Sequence, residues 1–507
     1  MMTIVRLTGL EELDGLGLAE LIKTKEIHPK ELLDDSIKKL EEINPKLNAV
    51  INVMYEQAIH SIKDIDYTRQ FPGVPIFLKD ITQEIAGEPI TSGSKAFINY
   101  KASKDTAFVK RMRDTGVLFL GQTNVPEFAL MGITEPEFYG PTRNPWDSEY
   151  TPGGSSGGSA VSVATGVVAI AGANDGGGSI RIPGAYCGLF GLKPSRGRTP
   201  VGPNYGRLWQ GASVDHVLTR TVRDSAAMLD ELNVCEKAAA FQALPFSEKY
   251  LDYVDKPFSK KLTIAYSLIS PLGTKVDQEC KDAVMKAVKQ LEDMGHHVEE
   301  KTAPVDGRKI ANSYISMYFG EVGATFSALE SILGRKVKQS DVEPSTWLLG
   351  LLGNSLSAKD FVLSLREWDK ASYLMESFHH TYDFYITPTT AFPPASIGEL
   401  GLSTMEKNLV KFVSTFGLGK LLSKGGFVER LTEQSLERTP FTQLANLTGQ
   451  PAMTLPLHQT SNGLPCGVQF MAARGQEHHL FQMAGLFEQT SDWIDVSKNP
   501  FYQSTNS

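Results

Sequence analysis

Two runs of glycine and serine stand a short apolar stretch apart: Gly153-Gly154-Ser155-Ser156-Gly157-Gly158-Ser159, then Asp175-Gly176-Gly177-Gly178-Ser179-Ile180-Arg181. Glycine reaches backbone conformations closed to other residues. Successive N–H groups in such a run can therefore turn into one anion-binding concavity. Serine becomes a useful nucleophile only where a base takes its proton and donors meet the oxyanion. Taken singly, a Gly-Ser run is more often a tight turn. Two such runs around one small-residue segment point instead to a site.

A third residue joins them. The stretch from Phe71 to Asp80, FPGVPIFLKD, reads as a turn followed by a short apolar strand with Lys79 at its end. Lysine ordinarily carries its amine out to solvent; a desolvated Lys79 would be neutral and able to act as a base. None of the ten histidines lies between His60 and His216, the region that holds the Gly/Ser runs. His216 is the one histidine close in sequence to that region and stays in play as an alternative base. A Ser–Lys arrangement is a variant of the Ser-His-Asp logic. Asp175 and Arg181 flank the second run and read as a structural pair that orients the loop. No P-loop, GxGxxG, HExxH or carboxylate–His cluster is legible, so neither a cofactor nor a metal is expected.

These residues lie in blocks that resemble the amidase signature family: GVPIFLKD (73–80), GQTNVPEFALMG (121–132), YGPTRNPWD (139–147), PGGSSGGSA (152–160), NDGGGSIRIPGAYCGLFGLKPSRGR (174–198), FTQLANLTGQPAMTLPL (441–457) and GLPCGVQF (463–470). The resemblance implies a Ser–cis-Ser–Lys triad. In it Lys79 is the base, Ser155 the bridging serine after a cis peptide, and Ser179 the nucleophile. Backbone N–H groups of Gly176, Gly177, Gly178 and Ser179 would form the oxyanion hole. The implied activity is hydrolysis of a carboxylic amide, linear or cyclic, through an acyl-enzyme. The implied fold is α/β, a central mixed twisted sheet covered by helices on both faces. A single amidase domain over 1–507 is expected, with a signature core near 60–230 and a variable substrate region near 300–440.

The periodicity agrees with an α/β fold, because helical and strand patterns alternate. Helices are predicted over 16–25, 29–43, 104–115, 157–171, 219–232, 277–294 and 476–489. Strands are predicted at 116–120, 262–267, 297–301 and 383–388. Residues 344–353 and 404–431 are strongly apolar or amphipathic and read as surface helices, or else as walls or a lid of a substrate pocket. The net charge of −8 disfavours a nucleic-acid partner. The four scattered cysteines, with no zinc spacing, read as reduced thiols of a cytoplasmic protein. No signal peptide or membrane span is expected, and homo-oligomerisation stays open.

Glutamyl-tRNA(Gln) amidotransferase has one subunit in this family, and that subunit usually carries a segment like SSLDQIGP after the signature. Here the segment from Gly206 to Ser225 reads GRLWQGASVDHVLTRTVRDS. That is more similar to the branch containing 6-aminohexanoate-cyclic-dimer hydrolases. The amidotransferase subunit remains the alternative. A catalytically retired binding or assembly protein is a second, against which Lys79, Ser155 and Ser179 are all present.

Overall fold

The computed structural model describes residues 10–402 and 427–503. Its frame is one mixed sheet of eleven strands. In chain order these are β1 (Val50–Val53), β2 (Pro75–Lys79), β3 (Leu118–Thr123), β4 (Ile170–Asp175), β5 (Phe190–Lys193), β6 (Val214–Thr219), β7 (Thr263–Tyr266), β8 (His297–Glu300), β9 (Phe384–Pro388), β10 (Ala452–Gln459) and β11 (Pro465–Met471). The spatial order is β1-β3-β2-β4-β6-β5-β10-β11-β9-β7-β8. Parallel pairs β2–β3 and β2–β4 lie toward one edge and β7–β8 and β7–β9 at the other, with antiparallel pairs such as β4–β6 and β10–β11 between them.

Helices cover both faces, and the strands show it residue by residue. Side chains alternate across a strand. On β2, Ile76 and Leu78 join one apolar layer with Leu18, Ile22, Phe108 and Met228. Phe77 joins the opposite layer with Leu33, Leu40, Ala160 and Val161. A strand buried on both faces reads as a continuous apolar run, which is how Val74-Pro75-Ile76-Phe77-Leu78 reads. Lys79 has the parity of Phe77, so it faces the layer that holds the helix Gly157–Ala164.

The predicted helix over 157–171 is shorter than expected. It ends at Ala164, and Ile170–Asp175 is β4. Gly166, at φ 69°, breaks the helix, and the apolar run that follows enters the sheet. The helix predicted over 219–232 begins at Val222, since Val214–Thr219 pairs with β4 as β6. The helix expected over 29–43 continues to Leu47.

The apolar helix Pro344–Gly353 packs on the long helix Gly307–Leu333, with Phe326 stacked on Trp347 at 5.7 Å. Its buried side chains Leu348 and Leu352 belong to that core cluster. The expected wall or lid over 404–431 falls largely outside the described residues; a helix is described from Phe427 to Leu436.

Candidate active site

Lys79 closes β2 with its side chain sealed from solvent, at 0% exposure. Its Nζ lies 2.8 Å from Ser155 Oγ and 2.8 Å from Asn174 Oδ1. Ser155 follows a cis peptide from Gly154 and is likewise fully buried. The other serines of the run do different work. Ser156 Oγ donates to Asn174 O at 3.3 Å, and Ser159 Oγ donates to Gly172 O at 2.7 Å. Both tie the helix that follows onto β4.

Burial lowers the Lys79 pKa to about 7, against the opposing pull of the Asp215 and Asp175 carboxylates. Desolvation disfavours the charged ammonium. Near neutral pH a substantial fraction of Lys79 is therefore free base, whose lone pair can accept the Ser155 hydroxyl proton.

The second run leaves β4 as a loop. Gly178 sits at φ 128°, a conformation that only glycine adopts readily. Its N–H donates to Asp175 Oδ1 at 2.7 Å. This modifies the expected set of four oxyanion donors, because the Gly178 N–H is turned onto the carboxylate. Asp175 also accepts from Ile180 N–H at 3.2 Å and Asn446 Nδ2 at 2.9 Å, and pairs with Arg181 at 2.9 Å. Both partners of that ion pair have fully buried side chains. The Arg181 guanidinium holds the Asp175 carboxyl well below the usual carboxylate range despite burial. Arg181 donates further to Gln469 Oε1, Thr442 O and Asn446 Oδ1. The pair expected to be structural thus pins the loop at Asp175 and Gly178, and Ser179, next in the chain, is partly exposed.

Gly177 is fixed from the other side. Its carbonyl accepts from Thr442 Oγ1 at 2.5 Å and Gln443 Nε2 at 3.2 Å. A Cβ at Gly177 would stand 2.0 Å from the Tyr314 hydroxyl oxygen. Tyr314, Tyr318 and Trp209 form an aromatic wall beside the loop, with Trp209 edge-on to Tyr318 at 4.9 Å.

A cavity of about 150 Å³ opens beyond Gln443. Leu272, Ile310, Leu436 and Phe441 supply apolar walls, and Thr387 and Gln443 supply polar atoms. Among the described residues that line it, none is charged. Residues 344–353, expected as a pocket wall, are not among those that line it; Leu436, just past the expected 404–431 segment, is.

His216 is not brought to Lys79. It is buried on β6, its Nε2 is 2.9 Å from Ser225 Oγ, and burial depresses its pKa to about 3. Alternation along β6 puts it on the face opposite Asp215. Among the described residues no group of His, Cys, Asp and Glu is placed to hold a metal. No described helix is long and apolar enough to cross a membrane. Cys187, Cys280 and Cys466 are buried free thiols, and Cys235 is an exposed one.

Sequence reasoning missed Asn174, Gln83 and Asp215, which surround Lys79. A signal was present for the last: Asp215 stands in a short strand pattern, Val214-Asp215-His216-Val217-Leu218, where a charged residue needs a reason.

The Amidase family profile matches residues 31–420 and 428–481. A lipoamidase of Enterococcus faecalis is 34% identical over 480 residues, covering 94% of this chain and 63% of that protein. This chain therefore spans less than two thirds of the lipoamidase. The 6-aminohexanoate-cyclic-dimer hydrolase of Pseudomonas sp. (strain NK87) is 33% identical over 493 residues, 95% of each. A solved structure of 6-aminohexanoate cyclic dimer hydrolase with substrate superimposes at a TM-score of 0.87 with 31% identity, over 97% of this chain and 99% of that one. A glutamyl-tRNA(Gln) amidotransferase subunit from Thermotoga maritima superimposes at 0.74 with 25% identity, over 97% and 98%. The family match and these relatives make the chain an α/β hydrolase of carbon–nitrogen bonds other than peptide bonds. The chain belongs to the amidase family.

Proposed function

We propose that the protein hydrolyses small or medium carboxylic amides through an acyl-enzyme on Ser179, with Ser155 as proton relay and Lys79 as base. The observation that carries this reading is the sealed 2.8 Å contact between Lys79 Nζ and Ser155 Oγ, with Ser179 on the adjoining glycine loop. Ser179 passes its proton to Ser155, which passes its own to neutral Lys79. The Ser179 oxygen then bonds to the amide carbon. N–H groups of Gly176, Gly177 and Ser179 receive the oxyanion. Removing one such donor typically costs about 10²–10³ in rate. As the C–N bond breaks, Ser155 gives a proton to the leaving nitrogen and recovers one from Lys79. Water, deprotonated by the same relay, then attacks the ester and frees the acid and Ser179.

The cavity is lined by none of Lys79, Ser155 and Ser179 and adjoins the glycine loop through Gln443, which holds the Gly177 carbonyl; its described walls carry no charge, which supports a substrate whose aliphatic or aromatic part is neutral. We read 1–507 as one amidase domain of a cytoplasmic protein that acts without nucleic acid. The relatives named as lipoamidase and cyclic-dimer hydrolase support small amides over the amidotransferase reading. The test is turnover of linear, cyclic and aryl amides by the purified chain. No turnover of any of them, with formation of Gln-tRNA(Gln) once partner subunits and Glu-tRNA(Gln) are added, would reverse the choice.

A further inference from the structure

Asp215 is a buried carboxylate on β6 that the mechanism above does not use, and it is 2% exposed. Its Oδ1 accepts from Thr82 Oγ1 at 2.7 Å and from Gln83 Nε2 at 3.3 Å. Both donors are neutral. A buried carboxylate is costly unless a positive charge compensates it. One short bridge connects Asp215 to the Lys79 backbone: Gln83 Oε1 accepts the Lys79 N–H at 2.8 Å while its Nε2 reaches Asp215. Asn174 places the two side by side: it is the cross-strand partner of Asp215 in the β4–β6 ladder, and its Oδ1 accepts from Lys79 Nζ.

The other charged groups around Lys79 are already engaged. Asp175 on β4 is paired with Arg181, and Lys193 of β5 also acts on it. Asp80, next in the chain, turns its oxygens to the Thr91 and Gly93 N–H groups. His216 points to Ser225. Of the two carboxylates that favour the Lys79 ammonium, Asp215 acts more strongly than Asp175. Burial raises the Asp215 carboxyl to about 6, against the pull of the Thr82 and Gln83 hydrogen bonds and then of Lys79 toward the ionised form.

We propose that Asp215 is a positioning residue for amide hydrolysis, whose carboxylate, clamped by Thr82 and Gln83, sets the proton affinity of the Lys79 amine. The proposal rests on Lys79 being the base. Removing the negative charge destabilises the ammonium, so Lys79 becomes free base at lower pH.

The test is kcat/KM against pH for the parent, Asp215→Asn, Thr82→Ala and Lys79→Ala. In Asp215→Asn the acid limb is expected to move down by about one pH unit, the lower end of what one opposite charge does nearby. Thr82→Ala keeps the carboxyl but raises its proton affinity, and is expected to move the limb the same way by less. A merely structural role would lower the plateau and leave the midpoint in place. A midpoint unchanged or raised in Asp215→Asn overturns the proposal. If circular dichroism shows that variant unfolded, Thr82→Ala decides by the same criterion. A Lys79→Ala variant that keeps the parent acid limb overturns the base assignment itself, and with it this proposal. A limb lost in Lys79→Ala but unmoved in Asp215→Asn overturns the Asp215 role alone.

Discussion

Lys79 Nζ and Ser155 Oγ lie 2.8 Å apart, and neither side chain touches solvent. The contact works in both protonation states. A neutral amine accepts the hydroxyl proton, and an ammonium donates to the same oxygen. A relay needs that reversibility, because the proton taken during acylation must return to the leaving nitrogen.

Activity should rise with pH through an apparent pKa near 7, the point at which buried Lys79 loses its proton. Lys79→Ala should remove most turnover and this limb, as measured by kcat/KM from pH 5 to 9. Stability carries the same signature. The folded-state value of about 7 lies below the ordinary 10.5, so the unfolded chain binds more protons between those limits. Stability from Lys79 should therefore increase as pH rises from 7 to 10.5. Lys79→Met should lose that increment in urea melts recorded across the same range.

Arg181 is a fully buried charge outside the relay. Arg181→Ala removes the ion-pair partner of buried Asp175, and breaking such a pair costs about 3–5 kcal/mol. Urea denaturation should show a loss of that order, with turnover falling as well because Asp175 holds the Gly178 N–H.

Gly177→Ala should cut kcat sharply, since its Cβ would fall 2.0 Å from the Tyr314 hydroxyl oxygen and 2.7 Å from the ring carbon that bears it. Tyr314→Phe removes the nearer atom and leaves the other. A double-mutant cycle should show Tyr314→Phe recovering part of the activity of Gly177→Ala.

Much of this was legible in the sequence where a residue's role is local. The glycine run, the small-residue helix and the Lys79 strand each follow from composition over a few positions. Where sequence reading failed, distant segments decided. The helix read through to 171 stops before Gly166, and that the apolar residues after it become β4 between β2 and β6 is a demand of the sheet that periodicity does not encode. Apolar 344–353 packs on the core as the surface-helix reading expects, with Trp347 stacked on Phe326; apolarity alone does not separate that from the pocket-wall alternative. Asn174 and Asp215 become neighbours only through the β4–β6 register.

Every step of the proposed reaction passes through Ser179 as nucleophile, and covalent capture tests that role without a chosen substrate. The chain is treated with a serine-directed fluorophosphonate, digested and mapped by mass spectrometry, beside Ser179→Ala. One adduct is expected, on Ser179, with turnover lost in proportion to labelling and Ser179→Ala folded, unlabelled and inactive. An adduct on another residue, or a Ser179→Ala variant that still hydrolyses amides at the parent rate, would contradict it.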